Sequence, residues 1–187
     1  MPNIALTDYI VKDNIENLEK INRVLRDLTE EEQETAMLSM FQYLGIDTEN
    51  QDIRGEIITF DLDNQNQTLY MTFATAWDWQ PDFVTGLKSK FPDMEIYFAC
   101  EESMAEVFET NSFQHFPTRF IINDNNGTYE YFVTFDKVLE YVNKWFDNMD
   151  FSTATTIQDV QEIFHEWNFQ HFDADCQYYL HIFKEIK

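Results

Sequence analysis

The order of elements written into this sequence predicts an α+β fold: a βαββαβ sandwich with an added C-terminal ββααβ extension. Three observations carry that reading. Residues 55–62 and 67–76 are β-branched and aromatic runs joined by the polar stretch Asp63-Asn64-Gln65-Asn66, the pattern of a β-hairpin. Apolar residues at helical spacing lie on both sides of that hairpin. Strand-like runs at 3–11 and 94–100 complete the order.

Taken from the N-terminus, residues 3–11 (NIALTDYIV) read as the first strand. A helix follows with its N-cap near Asp13 or Asn14, because Leu18, Ile21, Leu25 and Leu28 recur at spacings of three and four and form one stripe. Thr29 restarts a helix, with Glu32 in capping-box register, and Ala36, Met37, Met40, Phe41 and Leu44 make its apolar face. Gly45 suits the position just past its end. After the hairpin, Pro81 opens a helix that turns Phe83, Val84, Leu87 and Phe91 inward and stops at Pro92. The strand 94–100 (MEIYFAC) then gives the ferredoxin-like arrangement, with a two-helix insertion after the first strand.

The second half continues with strands at 119–123 and 128–133 around Asn126-Gly127, a strong short-range hairpin signal. A helix at 135–147 presents Phe135, Val138, Leu139, Val142 and Phe146, and another after Thr156 presents Ile157, Val160, Phe164 and Trp167. A closing strand is expected at 177–186. No Ser- or Gly-rich linker marks a boundary, so one continuous unit over 1–187 is expected, with a core at about 1–101 and an extension at about 102–187.

Composition narrows the function classes. Hydrophobic residues make up 44% and aromatic residues 17%, enough apolar bulk for a core despite a net charge of −23. A chain this acidic is a poor surface for phosphate, so no direct nucleic-acid partner is expected. The start, Met1-Pro2-Asn3-Ile4, carries neither a basic patch nor an apolar run, and nowhere does the sequence reach the length of a membrane span, so a cytoplasmic protein with no membrane partner is expected.

Thr75 to Glu102 reads TAWDWQPDFVTGLKSKFPDMEIYFACEE, a strand ending in Ala-Trp, a Pro-led helix, Lys-Phe-Pro-Asp, and a strand ending in Glu. This stretch resembles an uncharacterised group of bacterial proteins with a YubB-type ferredoxin-like domain, found on plasmids, phages and other mobile elements. The opening Met1-Pro2-Asn3, the first strand and the helix from Asn14 are similar as well, and the likeness spans roughly the first 125 residues, with a specific part about 28 residues long. Where the group carries a glycine shortly after the Glu, this chain has Ser103-Met104-Ala105. The resemblance implies a fold and a mobile-element context; it implies no activity.

Several chemistries lack their residues. The four glycines, Gly45, Gly55, Gly86 and Gly127, are too dispersed for a Walker A loop or a dinucleotide fingerprint. Cys100 and Cys176 cannot hold an iron–sulfur cluster or a four-cysteine zinc site, and Cys100 precedes Glu101 and Glu102, which raise rather than lower a thiol pKa. Asp61-Leu62-Asp63 and Asn123 to Gly127 fail the calcium-loop pattern and read as turns. No cofactor is expected. His171, Asp173 and Asp175 alternate and would share one side of an extended segment, a weak metal-ligand set that suits a solvated loop equally. Glu101 and Glu102 fall on opposite faces of a strand and make no acid–base pair.

Two features point to binding. Trp77 and Trp79 flank Asp78 and, if extended, share one face, either as a binding platform or as a cover for the sheet end. No Lys or Arg occurs between Arg26 and Arg54, between Lys90 and Arg119, or between Lys144 and Lys184; the first gap holds Glu30, Glu31, Glu32 and Glu34 and the second Glu101 and Glu102, the acidic residues expected to bind. Such segments serve solubility, or dock a basic protein partner. The function expected is a non-catalytic accessory or interaction protein of a bacterial mobile element, binding a basic protein partner through an acidic surface. The alternative is a small hydrolase or metal-dependent enzyme whose site forms only in space.

Overall fold

The computed structural model describes residues 4–29, 36–49, 53–103, 106–124, 126–146, 153–172 and 177–187. It is an α+β structure with two sheets, antiparallel through β2-β3-β1-β4-β5 in one and β7-β6-β8 in the other, and by its contacts the chain divides into two compact units, 1–116 with 185–187, and 117–184.

The first unit is built on a six-stranded sheet of β1 (Ile4–Lys12), β2 (Gly55–Asp63), β3 (Thr68–Ala76), β4 (Glu95–Glu102), β5 (Val107–Thr110) and β9 (Lys184–Glu185), in the order β2-β3-β1-β4-β5-β9. β1 lies between β3 and β4, antiparallel to both, with Tyr9 opposite Met71 on one side and Phe98 on the other. Alternation sorts its side chains, burying Ala5, Thr7, Tyr9 and Val11 and leaving Leu6 and Asp8 exposed and Ile10 half-buried. β2, an edge strand, slips register between Ile57 and Thr59, a bulge that breaks the regularity of its exposed edge.

Three helices supply the rest of this core: α1 (Ile15–Thr29), α2 (Ala36–Leu44) and α3 (Pro81–Lys90). Asn14 begins α1 by accepting the Asn17 amide at 3.1 Å. Leu18, Ile21, Leu25 and Leu28 are buried as their spacing requires. α2 ends on Gly45 at φ +66°, where the amides of Gly45 and Ile46 donate back to Gln42 and Phe41, a Schellman closure that only a residue at ease in the left-handed region makes without strain. At the centre Tyr9 meets Phe83 at 5.1 Å and Phe73 at 6.1 Å, while Phe41 stacks on Phe83 at 5.4 Å. This aromatic cluster fixes the helices on the sheet.

The second unit carries a three-stranded sheet of β6 (Phe120–Asp124), β7 (Tyr129–Phe132) and β8 (Tyr178–Ile182) in the order β7-β6-β8, with helices α4 (Phe135–Phe146) and α5 (Ile157–Gln170). Gly127 turns the β6–β7 hairpin at φ +83°, and the Asp124 carboxylate accepts the amides of Asn126 and Thr128. Its core joins Ile122, Val138, Val142, Phe146, Val160 and Phe164. Two asparagines bind it together by paired bonds to backbone: Asn143 to Ala154, and Asn168 to Tyr178. α5 starts at a capping box in which Thr156 and Asp159 exchange side-chain and backbone bonds.

Two elements depart from the sequence reading. β5 was not expected; its four residues pair with Ala99–Glu102, so the first unit runs past residue 101 to Phe116. The run 177–186 is two strands instead of one. β8 pairs with β6, then Phe183 is buried and its amide donates to Arg119, and the next residues turn to β5, where the Ile186 amide donates to Thr110 at 2.8 Å. Residues 117–184 are therefore inserted in the sequence between two neighbouring strands of one sheet, β5 and β9.

Candidate functional site

Among the described residues of the first unit, the turn from β3 into α3 holds two non-glycine residues at positive φ. Pro81 occupies the first turn of α3 and fixes its own φ, which leaves Trp77-Asp78-Trp79-Gln80 to reverse the chain. Two of these four residues lie in the left-handed region, Trp77 at φ +73° and Gln80 at φ +56°. For an indole side chain that conformation is strained by about 1–3 kcal/mol and persists only where the surroundings impose it.

The surroundings do impose it. Gln80 is buried; its amide nitrogen donates to the Ala76 carbonyl at 2.6 Å, and its side-chain oxygen accepts the Arg54 amide at 3.0 Å. Asp78 Oδ1 accepts the Gln80 amide at 2.8 Å. Beneath, the Thr75 hydroxyl donates to the Asp78 carbonyl at 2.6 Å and lies 2.8 Å from the Thr7 hydroxyl, and the buried Tyr9 hydroxyl donates to the Trp79 carbonyl. Burial raises the Tyr9 pKa well above its ordinary value, with Cys100 and Asp78 adding, so the phenol stays a donor. Burial likewise pushes the Cys100 thiol up to about 12; a Thr7 hydrogen bond opposes this, and the charges of Asp78, Glu109 and Glu101 add to it. Cys100 is a buried structural thiol, not a nucleophile.

The turn separates the two tryptophans. Trp79 lies flat on Phe98, ring centroids 4.1 Å apart and planes 13° apart, and packs on the core. Trp77 is 47% exposed and lines a shallow cavity of about 200 Å³ with Arg54, Asp78, Gln80, Pro81 and Asp82. The cavity thus brings together an indole, the carboxylates of Asp78 and Asp82 and the guanidinium of Arg54, groups suited to a polar or charged occupant.

The remaining sequence candidates are scattered. Glu102 is buried, 4% exposed, whereas Glu101 on the opposite face of β4 is half-buried. Glu30, Glu31, Glu32 and Glu34 lie outside the described residues, as do Asp173, Asp175 and Cys176. His171 stacks on Trp167 with ring centroids 3.8 Å apart, and its Nδ1 is 2.9 Å from the Trp167 carbonyl, so the ring finishes α5. No group of three or more His, Cys, Asp or Glu side chains able to hold a metal ion occurs among the described residues, and no helix among them is long and apolar enough to cross a membrane.

One constellation invisible in the sequence deserves a chemical test. Ser112 Oγ lies 2.9 Å from His115 Nδ1, and Lys12 Nζ lies 3.1 Å from His115 Nε2, with Tyr97 stacked on the imidazole. A charged ammonium only donates, so it occupies the Nε2 lone pair and leaves the proton on Nδ1. Nδ1–H then donates to Ser112, the reverse of what a general base does to a nucleophile. Burial and the Lys12 charge lower the His115 pKa, as this polarity requires. The cluster is a hydrogen-bonded clamp between β1 and the segment after β5. No protein-family model matches this chain, and neither a curated protein nor a solved structure matches it.

Proposed function

We propose that this chain is a non-catalytic accessory protein of a bacterial mobile element whose first unit is a ferredoxin-like sandwich, and that it binds a basic protein partner through its acidic surface with Trp77 as the anchor. The antiparallel order β2-β3-β1-β4 supports the fold reading, and the mobile-element context rests on the resemblance of Thr75–Glu102. One observation supports the binding role: a strained backbone presents Trp77 to solvent in a cavity that Asp78 and Asp82 also line, on a turn that a buried hydrogen-bond network holds in place. A lysine or arginine side chain laid over the indole gains the cation–π term and meets Asp82. The net charge of −23 steers such a partner and repels nucleic acid.

Titration with a lysine- and arginine-rich peptide tests this. Binding should shift tryptophan emission and weaken as salt rises past physiological strength. Trp77→Ala should weaken it about five-fold, from roughly 1 kcal/mol for a cation on a half-exposed indole. Equal affinity of Trp77→Ala and the parent chain would remove the anchor role.

A further inference from the structure

A second groove, of about 390 Å³, lies between α1 and the end of β2 in the first unit, and six polar side chains line it: Glu19, Asn22, Arg23, Arg26, Asp61 and Asn64. The four from α1 stand at positions i, i+3, i+4 and i+7, which places them on one side of the helix. None of the six makes a side-chain hydrogen bond or ion pair among the described residues, although Glu19 and Arg23 are spaced as a helical ion pair would be. Unpaired arginines are unexpected in a chain with 35 acidic and 12 basic residues.

Asn22 is the more telling member. It is 8% exposed and sits inside the apolar stripe of α1, four residues after Leu18 and three before Leu25. A leucine there would extend the core. A buried carboxamide without a partner destabilises the fold, and native proteins pair such groups nearly always. Asn22 lines the groove, so a molecule in the groove is the partner that the described residues do not provide.

The donors and acceptors define that molecule. Arg23, Arg26 and the amides of Asn22 and Asn64 offer donors suited to a carboxylate, while Glu19 from α1 and Asp61 from β2 offer two negative acceptors in the same groove. A purely anionic ligand meets both arginines but also both carboxylates. A purely cationic one faces the reverse conflict. We infer that the groove binds a small zwitterion of the amino-acid or short-peptide class, its carboxylate on Arg23 and Arg26, its ammonium toward Glu19 and Asp61, and its amide groups on Asn22. The volume suits a peptide of a few residues better than a single small ion.

Trialanine is a suitable probe, followed by calorimetry and by the NMR signals of the Asn22 side-chain amide in the full-length chain. Trialanine should bind and shift those signals. N-acetyl-trialanine, trialanine amide and inorganic phosphate should each bind about ten-fold more weakly or not at all, since each loses one side of the match. Arg23→Gln with Arg26→Gln should abolish binding and leave the melting temperature unchanged, because both side chains are exposed. Asn22→Leu should abolish binding and raise the melting temperature, the signature of a buried polar group kept for a ligand. A lower melting temperature for Asn22→Leu, phosphate binding as tightly as trialanine, or no trialanine binding at millimolar concentration would each overturn the inference.

Discussion

Gly86 lies within α3 facing α2, and Gly86→Ala separates packing from helix propensity. On an exposed helix the exchange stabilises by about 1 kcal/mol, because alanine loses less backbone entropy. Here a Cβ would fall 2.3 Å from Phe41 Cε2 and 2.5 Å from Cζ. Ordinary carbon contacts are about 3.5–4.0 Å, so the ring must withdraw by roughly an ångström or more. It has nowhere easy to go, since Phe41 is fully buried and stacked on Phe83 with planes 10° apart. Overpacking of this kind costs about 1–3 kcal/mol, and the displacement needed argues for the upper end. Set against the propensity gain, the net loss should be about 2 kcal/mol by urea denaturation followed through a signal of the first unit. Phe41→Leu removes the ring edge, so the double variant should be more stable than the sum of the two single changes by at least about 0.5 kcal/mol. A stabilised Gly86→Ala, or an additive cycle, would refute the close approach of α2 and α3.

Phe73→Ala should lose about 3–5 kcal/mol, because the ring is fully buried against Tyr9 and Phe83; a loss under about 1 kcal/mol would place it at the surface. The His115 imidazole titrates below its ordinary 6.5 through burial and then the Lys12 charge, so the unfolded chain takes up that proton first. Its contribution to stability is present above pH 6.5 and lost as pH falls through the folded value; NMR should find the midpoint below 6.5, and Lys12→Met should raise it. Thr156→Ala should destabilise the second unit by about 1 kcal/mol through loss of the α5 cap, measured by thermal melting of the full chain. Asp159, held at about 2 by its bonds to Thr155 and then Thr156, supports the same cap down to low pH, and that support is lost as pH falls from 3.8 through about 2.

The elements with local causes were legible. Spacing located the α1 stripe, Pro81 located the start of α3, Asn126-Gly127 located the second hairpin, and Thr156 with Asp159 located α5. β5 was not, because four residues with a charged member carry little periodic signal and their pairing with β4 is a tertiary contact. The separation of the two tryptophans was not legible for a related reason: a shared face holds only for extended backbone, and nothing in Trp77-Asp78-Trp79 announces an indole at positive φ. The clamp of Lys12, Ser112 and His115 joins residues about 100 positions apart and leaves no sequence trace. Asn22 did leave one. A carboxamide between Leu18 and Leu25 interrupts an otherwise apolar stripe, and that interruption is the signal by which the groove could have been found.

The insertion of residues 117–184 sets a timetable for synthesis. A ribosome makes β1 to β5 long before it makes β9, the strand that lies beyond β5 in the same sheet. At roughly 5–20 residues per second the intervening stretch, Pro117–Lys184, takes on the order of 3–14 s. Through that interval the nascent sheet ends on β5, an open edge at which a neighbouring chain could add a strand. Brevity and charge guard it: β5 has four residues, and Glu109 is among them. Release from the guard comes only when the last-made strand arrives, with the Ile186 amide closing on Thr110 and the Glu185 carboxylate on the Phe113 amide. The sheet is sealed from its far end, after the second unit has been made.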